Sequence, residues 1–202
     1  MDMRKKRRKK ENFSLKEEYR KSWDYIKESK NFIYAIITIF FVFSLIGFFV
    51  PASDFIKESI IKLLEDILEK TQGMSQIELI KFIFVNNIQS SFFGIIFGVF
   101  LGIFPVVGAI GNGYMLGFVS LMASKEGGFS VLLRLLPHGI FELPAVFISL
   151  GLGLKFGTFI FQKNKGELFK EYFWNSLRVF LFIVVPLLII AAIIEGILVF
   201  MF

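Results

Sequence analysis

Cysteine is absent and histidine occurs once, at His138. The first absence excludes disulfides, thiolate metal sites and cysteine nucleophiles, and leaves the redox compartment open. The second leaves a single imidazole for any acid–base or metal chemistry. The serines within the apolar runs include Ser90, Ser91 and Ser149, but no G-x-S-x-G elbow surrounds them. The chain also lacks an H-E-x-x-H helix, a phosphate-binding glycine loop and a dinucleotide fingerprint. These absences argue against an ATPase or a hydrolase, and no cofactor is expected.

What the chain has in excess is apolar sequence. Hydrophobic residues make up 55% of its 202 residues, and 28 are phenylalanine. Soluble domains are nearer 45–50% apolar, and the excess here falls in runs of about twenty residues, the length that crosses a bilayer. The sequence predicts an all-α, polytopic transmembrane bundle with about five spans and additional amphipathic interfacial helices. The spans are expected at 31–50, 79–104, 105–123, 137–161 and 177–202. Residues 1–30 are expected to form a basic segment with an interfacial helix, and residues 31–202 the bundle. The first run is a poor cleaved signal peptide, because its charged lead is too long and its apolar stretch exceeds the usual 7–15 residues.

Charge sets the orientation. Residues 2–30 hold 12 Lys/Arg, seven of them consecutive from Arg4 to Lys10. Such a run is solvated or lies on anionic lipid headgroups; a span follows at once, so headgroups rather than nucleic acid are the expected polyanion. With the N-terminus inside, cytoplasmic segments 1–30 and 155–178 carry 12 and 5 basic residues, against 4 and 2 in segments 51–81 and 125–134. This positive-inside bias predicts a cytoplasmic N-terminus and an outside C-terminus in the cell membrane. Residues 54–72 show helical periodicity, with Ile56, Ile60, Leu63, Leu64, Ile67 and Leu68 on one face, and read as an amphipathic helix outside the membrane.

Two residue sets stand out within the spans. Gly94, Gly98 and Gly102 recur every four residues, as do Gly113 and Gly117, and Gly153 and Gly157. Such stripes let helix backbones approach, either within one subunit or at a homodimer seam. Pro105 suits the first turn of the third span, and its short link to the second predicts a tight antiparallel hairpin. The second set is polar: Asn86 and Asn87, Asn112, His138 with Glu142 at i+4, and Glu195. Polar groups at membrane depth are costly and usually face a bundle interior. Counted along the helices, Asn86/Asn87, Glu142 and Glu195 each lie on the order of 6–12 Å inside the outer boundary. They are read as one polar cluster open to the outside with His138 at its mouth, or else as structural groups each satisfied by a neighbouring helix. His138, Glu142 and Glu195 are the only set that suggests zinc ligands.

The stretches Phe84-Val-Asn-Asn-Ile-Gln, Gly111-Asn-Gly, Leu136-Pro-His-Gly-Ile-Phe-Glu-Leu-Pro144 and Ala191-Ala-Ile-Ile-Glu195 together resemble the stage II sporulation protein M family. The Pro-His-Gly-x-x-Glu-Leu-Pro motif is the most specific part, and the resemblance covers about residues 20–202. It implies a multi-pass subunit of a membrane complex. In spore formers the named member works with peptidoglycan-degrading partners during engulfment, but the family extends well beyond such organisms. It therefore points to other membrane or envelope proteins as partners, and the residues it carries coincide with the polar set above. A small transporter or flippase-like protein is the alternative, with broken helices near Pro137 and Pro144 holding a polar substrate; no inverted repeat accompanies it. An intramembrane metal-dependent hydrolase is a more distant third.

Overall fold

The computed structural model describes residues 14–127 and 132–201. The basic run Arg4–Lys10 lies outside the described residues. So do the side chains of residues 126–138, and with them the His138 imidazole. Among the described residues the fold is helical throughout: α1 (Leu15–Glu28), α2 (Lys30–Phe49), α3 (Asp54–Thr71), α4 (Gln76–Ile96), α5 (Ile103–Gly127), α6 (Leu132–Gly157), α7 (Lys165–Val179) and α8 (Val185–Met201). Five helical stretches are long and apolar enough to cross a membrane, so the chain is a multi-pass membrane protein.

Local chemistry fixes most of the ends. Pro51 holds Val50 extended (ψ 123°) and stops α2. Ser53 caps α3 by accepting from the Ile56 N–H, and Gly73 ends the exit from that helix at φ +80°. Glu78 accepts from the Ser75 N–H at 2.8 Å and from its hydroxyl at 2.7 Å, which opens α4. A short 3₁₀ turn, Phe97–Val99, and left-handed Leu101 and Gly102 (φ 59° and 71°) then reverse the chain into α5.

Three expected boundaries move. The helix of the third span runs on through Lys125 to Gly127, where a loop was expected. The fourth begins at Leu132 and passes through Pro137 rather than starting there. The fifth span, expected from residue 177, continues a helix that already starts at Lys165, with a π-helical segment at Phe180–Val184 between α7 and α8.

The tight hairpin of the second and third spans is also corrected. α4 and α5 diverge from their turn: α4 packs mainly on α6 and α8, and α5 on α2 and α6. The reason lies in the glycines. A Cβ on Gly98 would strike the backbone of Gly153; one on Gly153 would strike Gly94; one on Gly157 would strike Gly102 and Gly98. A second seam joins α2 and α5, where Gly113 faces the Phe40 carbonyl, Gly117 that of Ser44, and Gly47 that of Tyr114. Both seams pair parallel helices, and in both the backbones touch. Without a hydrophobic drive between helices in lipid, such close approach supplies the packing. α6 sits at the centre: Leu150 reaches Gly94 on one side and Gly108 on the other, and α6 is the most enclosed span.

Candidate functional site

The bundle has two polar ends. Gln76 Nε2 donates to the Gly196 carbonyl at 3.4 Å, so the start of α4 and the end of α8 lie together at the end that carries α3. The opposite end carries α1 and α7.

At the α3 end, Asn86 is exposed and Asn87 half-buried; Asn86 Nδ2 donates to Asn87 Oδ1 at 3.5 Å. Glu142 on α6 and Glu195 on α8 are half-buried. Each has one fully shielded carboxylate oxygen, and each is engaged by a neighbouring group. The contacts of Gly98 with Gly153 and of Gly94 with Leu150 fix the parallel register of α4 and α6, and that register sets Glu142 level with Asn86 and Asn87. Gly196 meets Ile80, which sets Glu195 near Lys81. Glu195 therefore lies about six residues, on the order of 9 Å, nearer the α3 end than the asparagines. Asn112 is exposed and donates to the Gly108 carbonyl of its own helix at 2.8 Å. Among the described residues, no three His, Asp or Glu side chains gather as a ligand set. An open groove of about 410 Å³ runs along α4, lined by Glu78, Lys81, Phe82, Val85, Asn86 and Gln89.

α3 stands apart from this bundle. None of its residues is buried. Phe55 is 78% exposed and Leu68 68%, while Ile60 and Leu64 are half-buried, so much of its apolar side is uncovered among the described residues. Only four residues separate it from α2 and four from α4, which tethers both of its ends beside the membrane.

The α1/α7 end is closed by an arrangement that sequence reasoning missed. Lys155, near the end of α6, is only 7% exposed. Its Nζ donates to Ser29 Oγ at 3.1 Å, lies 3.8 Å from Glu28 Oε2, and sits 3.9 Å above the Tyr25 ring centroid and 5.3 Å from that of Tyr172. One ammonium thus joins α1, the start of α2, α6 and α7 by hydrogen bonding and cation–π contact. Burial, partly opposed by the neighbouring Ser176 hydroxyl, pushes the Tyr25 hydroxyl well above the usual phenol range. Alongside, Arg178 Nε donates to Glu18 Oε2 at 2.6 Å and Nη1 to Asn175 Oδ1 at 2.6 Å. The Arg178 hydrogen bond holds the Glu18 carboxyl below its ordinary range. The available signal was Lys155 itself, a lone charge in the apolar stretch Gly151–Gly157.

The family model described as stage II sporulation protein M matches residues 36–199. No curated protein and no solved structure matches the chain. The matched stretch takes in all five spans apart from the first turns of α2, and the chain belongs to that family.

Proposed function

As a member of the stage II sporulation protein M family, we propose, this protein is a non-enzymatic subunit that scaffolds a complex in the cell membrane. In this reading the N-terminus is cytoplasmic, the α3 end faces outward, and the partners are other membrane or envelope proteins. The basic bias of segments 1–30 and 155–178 supports the orientation. The observation that carries the scaffold reading is α3: a capped, 18-residue amphipathic helix tethered at both ends, with no residue buried among those described. An apolar helix face left open in this way is a common mode of partner recognition. Behind it, Asn87, Glu142 and Glu195 line the outward polar pocket that shapes the docking end.

The test is co-purification from native membranes with the parent chain and with Phe55→Ser/Leu68→Ser. The parent is expected to bring down a defined set of envelope proteins, and the variant to lose them at unchanged expression. Retention of the same set by the variant overturns the role of α3.

A second reading, a small transporter or flippase, draws on the open groove along α4 and the divergence of α4 from α5. Movement of a labelled phospholipid across proteoliposomes, abolished by Glu142→Ala, would favour it over the scaffold.

A further inference from the structure

The exposed side of α4 has the wrong chemistry for lipid. Phe82, Asn86, Gln89 and Phe93 follow one another at three- and four-residue steps, which places them on one helix face. Asn86 and Gln89 are exposed, and Gln89 stands thirteen residues from the start of a 24-residue span, Gln76–Val99, at the middle of the bilayer. Asn86 reaches only its neighbour Asn87, and no hydrogen bond from a described residue reaches the Gln89 amide. Facing lipid at that depth, such a group would find no water to solvate it.

The same face excludes the close approach used elsewhere in the fold. Gly94, which α4 has as its sole glycine, and Gly98 in the turn that follows are already spent on α6. Whatever covers the remaining face meets side chains rather than backbone. Those side chains complement themselves. An Asn or Gln amide carries donors and an acceptor together, so two copies of one amide satisfy each other.

We propose that this face of α4 is a homodimer interface, with a second copy of the chain as its occupant. Both copies insert the same way, so the two-fold axis lies along the membrane normal and the two α4 helices run parallel. Residues at equal depth meet across an isologous contact. Gln89 pairs with Gln89 of the second copy by reciprocal N–H to carbonyl bonds. Asn86 does the same one turn away. The interface is independent of the docking role given to α3, which lies outside it.

The absence of cysteine makes the test clean. Gln89→Cys and Asn86→Cys, each the sole thiol of the full-length chain, are oxidised in native membranes beside Ile193→Cys, an exposed lipid-facing position on α8. Covalent dimers are expected at residues 89 and 86 and not at 193. Gln89→Leu is expected to raise the dimer dissociation constant in detergent roughly threefold to tenfold, the range measured for interhelical hydrogen bonds in membrane proteins. Three results overturn the proposal: equal dimer at all three positions, cross-linking of residue 89 only to a protein of different mass, or a monomer whose residue 89 thiol reacts with a water-soluble maleimide. The last would mark a water-filled groove instead.

Discussion

Lys155 and Gln89 are both polar side chains carried within spans, and the bundle treats them oppositely. At the α7 end the ammonium is 7% exposed and held by Ser29, Glu28 and two tyrosine rings. On the way to the α3 end, Gln89, Asn86 and Lys81 line an open groove, and beyond them α3 has no buried residue at all. One end is cross-braced by its own chain and the other is left with unused polar and apolar surface. A buried charge that is fully partnered rigidifies what it joins, whereas exposed surface of mixed chemistry marks where other molecules attach. In the proposed reading the α7 end anchors the bundle and the α3 end recognises its partners.

Both ends hang on the glycine seams through the middle of the bundle, and the largest expected effect tests whether those seams are rigid. Gly98→Leu drives a side chain into the Gly153 backbone, where nothing flexible can yield. Destabilisation of about 3 kcal/mol or more is expected, read as loss of the folded fraction in detergent. Gly111→Leu, which meets nothing within 4 Å, is expected to leave that fraction unchanged. Equal tolerance of both would show that the α4–α6 contact is not the frame on which the two ends differ.

Next in size is the brace itself. Lys155→Met keeps the length of the side chain and removes the charge from Ser29 and from the faces of Tyr25 and Tyr172. A loss of about 1–2 kcal/mol is expected from the cation–π and hydrogen-bond contacts, and it should be local. Amide exchange should accelerate in α1 and not in α4. Uniform acceleration would make Lys155 part of the general core rather than the joint that docks α1.

The Arg178–Glu18 link sharpens the same point through pH. Hydrogen bonding to Arg178 lowers the folded value of Glu18, so its contribution is fully present above the ordinary glutamate value of about 4.3 and is lost as pH falls through the lowered one. Protection of α1 should therefore fall on acidification below that ordinary value, and Arg178→Gln should flatten the dependence. A profile identical to that of the parent would place the acid sensitivity elsewhere.

The sequence discloses these features unevenly. The spans are readable because runs such as Ile33–Phe49 exceed any soluble helix in apolar length, and α3 is readable because its period is helical and its ends carry Ser53 and Gly73. The junction of α5 and α6 misleads, because residues 125–137 mix charge, glycine and proline while the chain stays helical up to Gly127 and again from Leu132. The π segment leaves no mark, since Phe180–Val184 is as apolar as the start of α8. Glycine spacing announces close approach but not the neighbour. Gly98 meets Gly153, far along the chain, and the divergence of α4 from α5 comes from that pairing rather than from their short connection. Lys155 stands out as a lone charge, but its partners are unreadable for the same reason, because Ser29 lies 126 positions from it. Glu142 and Asn86 are placed at one depth by counting along helices, and the helix register sets them level. Counting has no access to the longitudinal offset that puts Glu195 a turn or more nearer the α3 end.

The smallest expected effect on stability falls on α3, and it bears most directly on the contrast between the ends. Phe55 and Leu68 are 78% and 68% exposed, and no residue of their helix is buried by the bundle. Replacing both with serine removes apolar surface that the folded chain does not use. The change in unfolding free energy should stay within about 0.5 kcal/mol, the range of ordinary surface substitutions, while the same double variant should lose its envelope partners. That pairing of outcomes, fold unchanged and partners lost, is what the proposed docking role of α3 requires. A destabilisation of more than about 1 kcal/mol in detergent would instead mean that α3 folds back on its own bundle, and the α3 end would then be closed like the α7 end, by internal contacts alone.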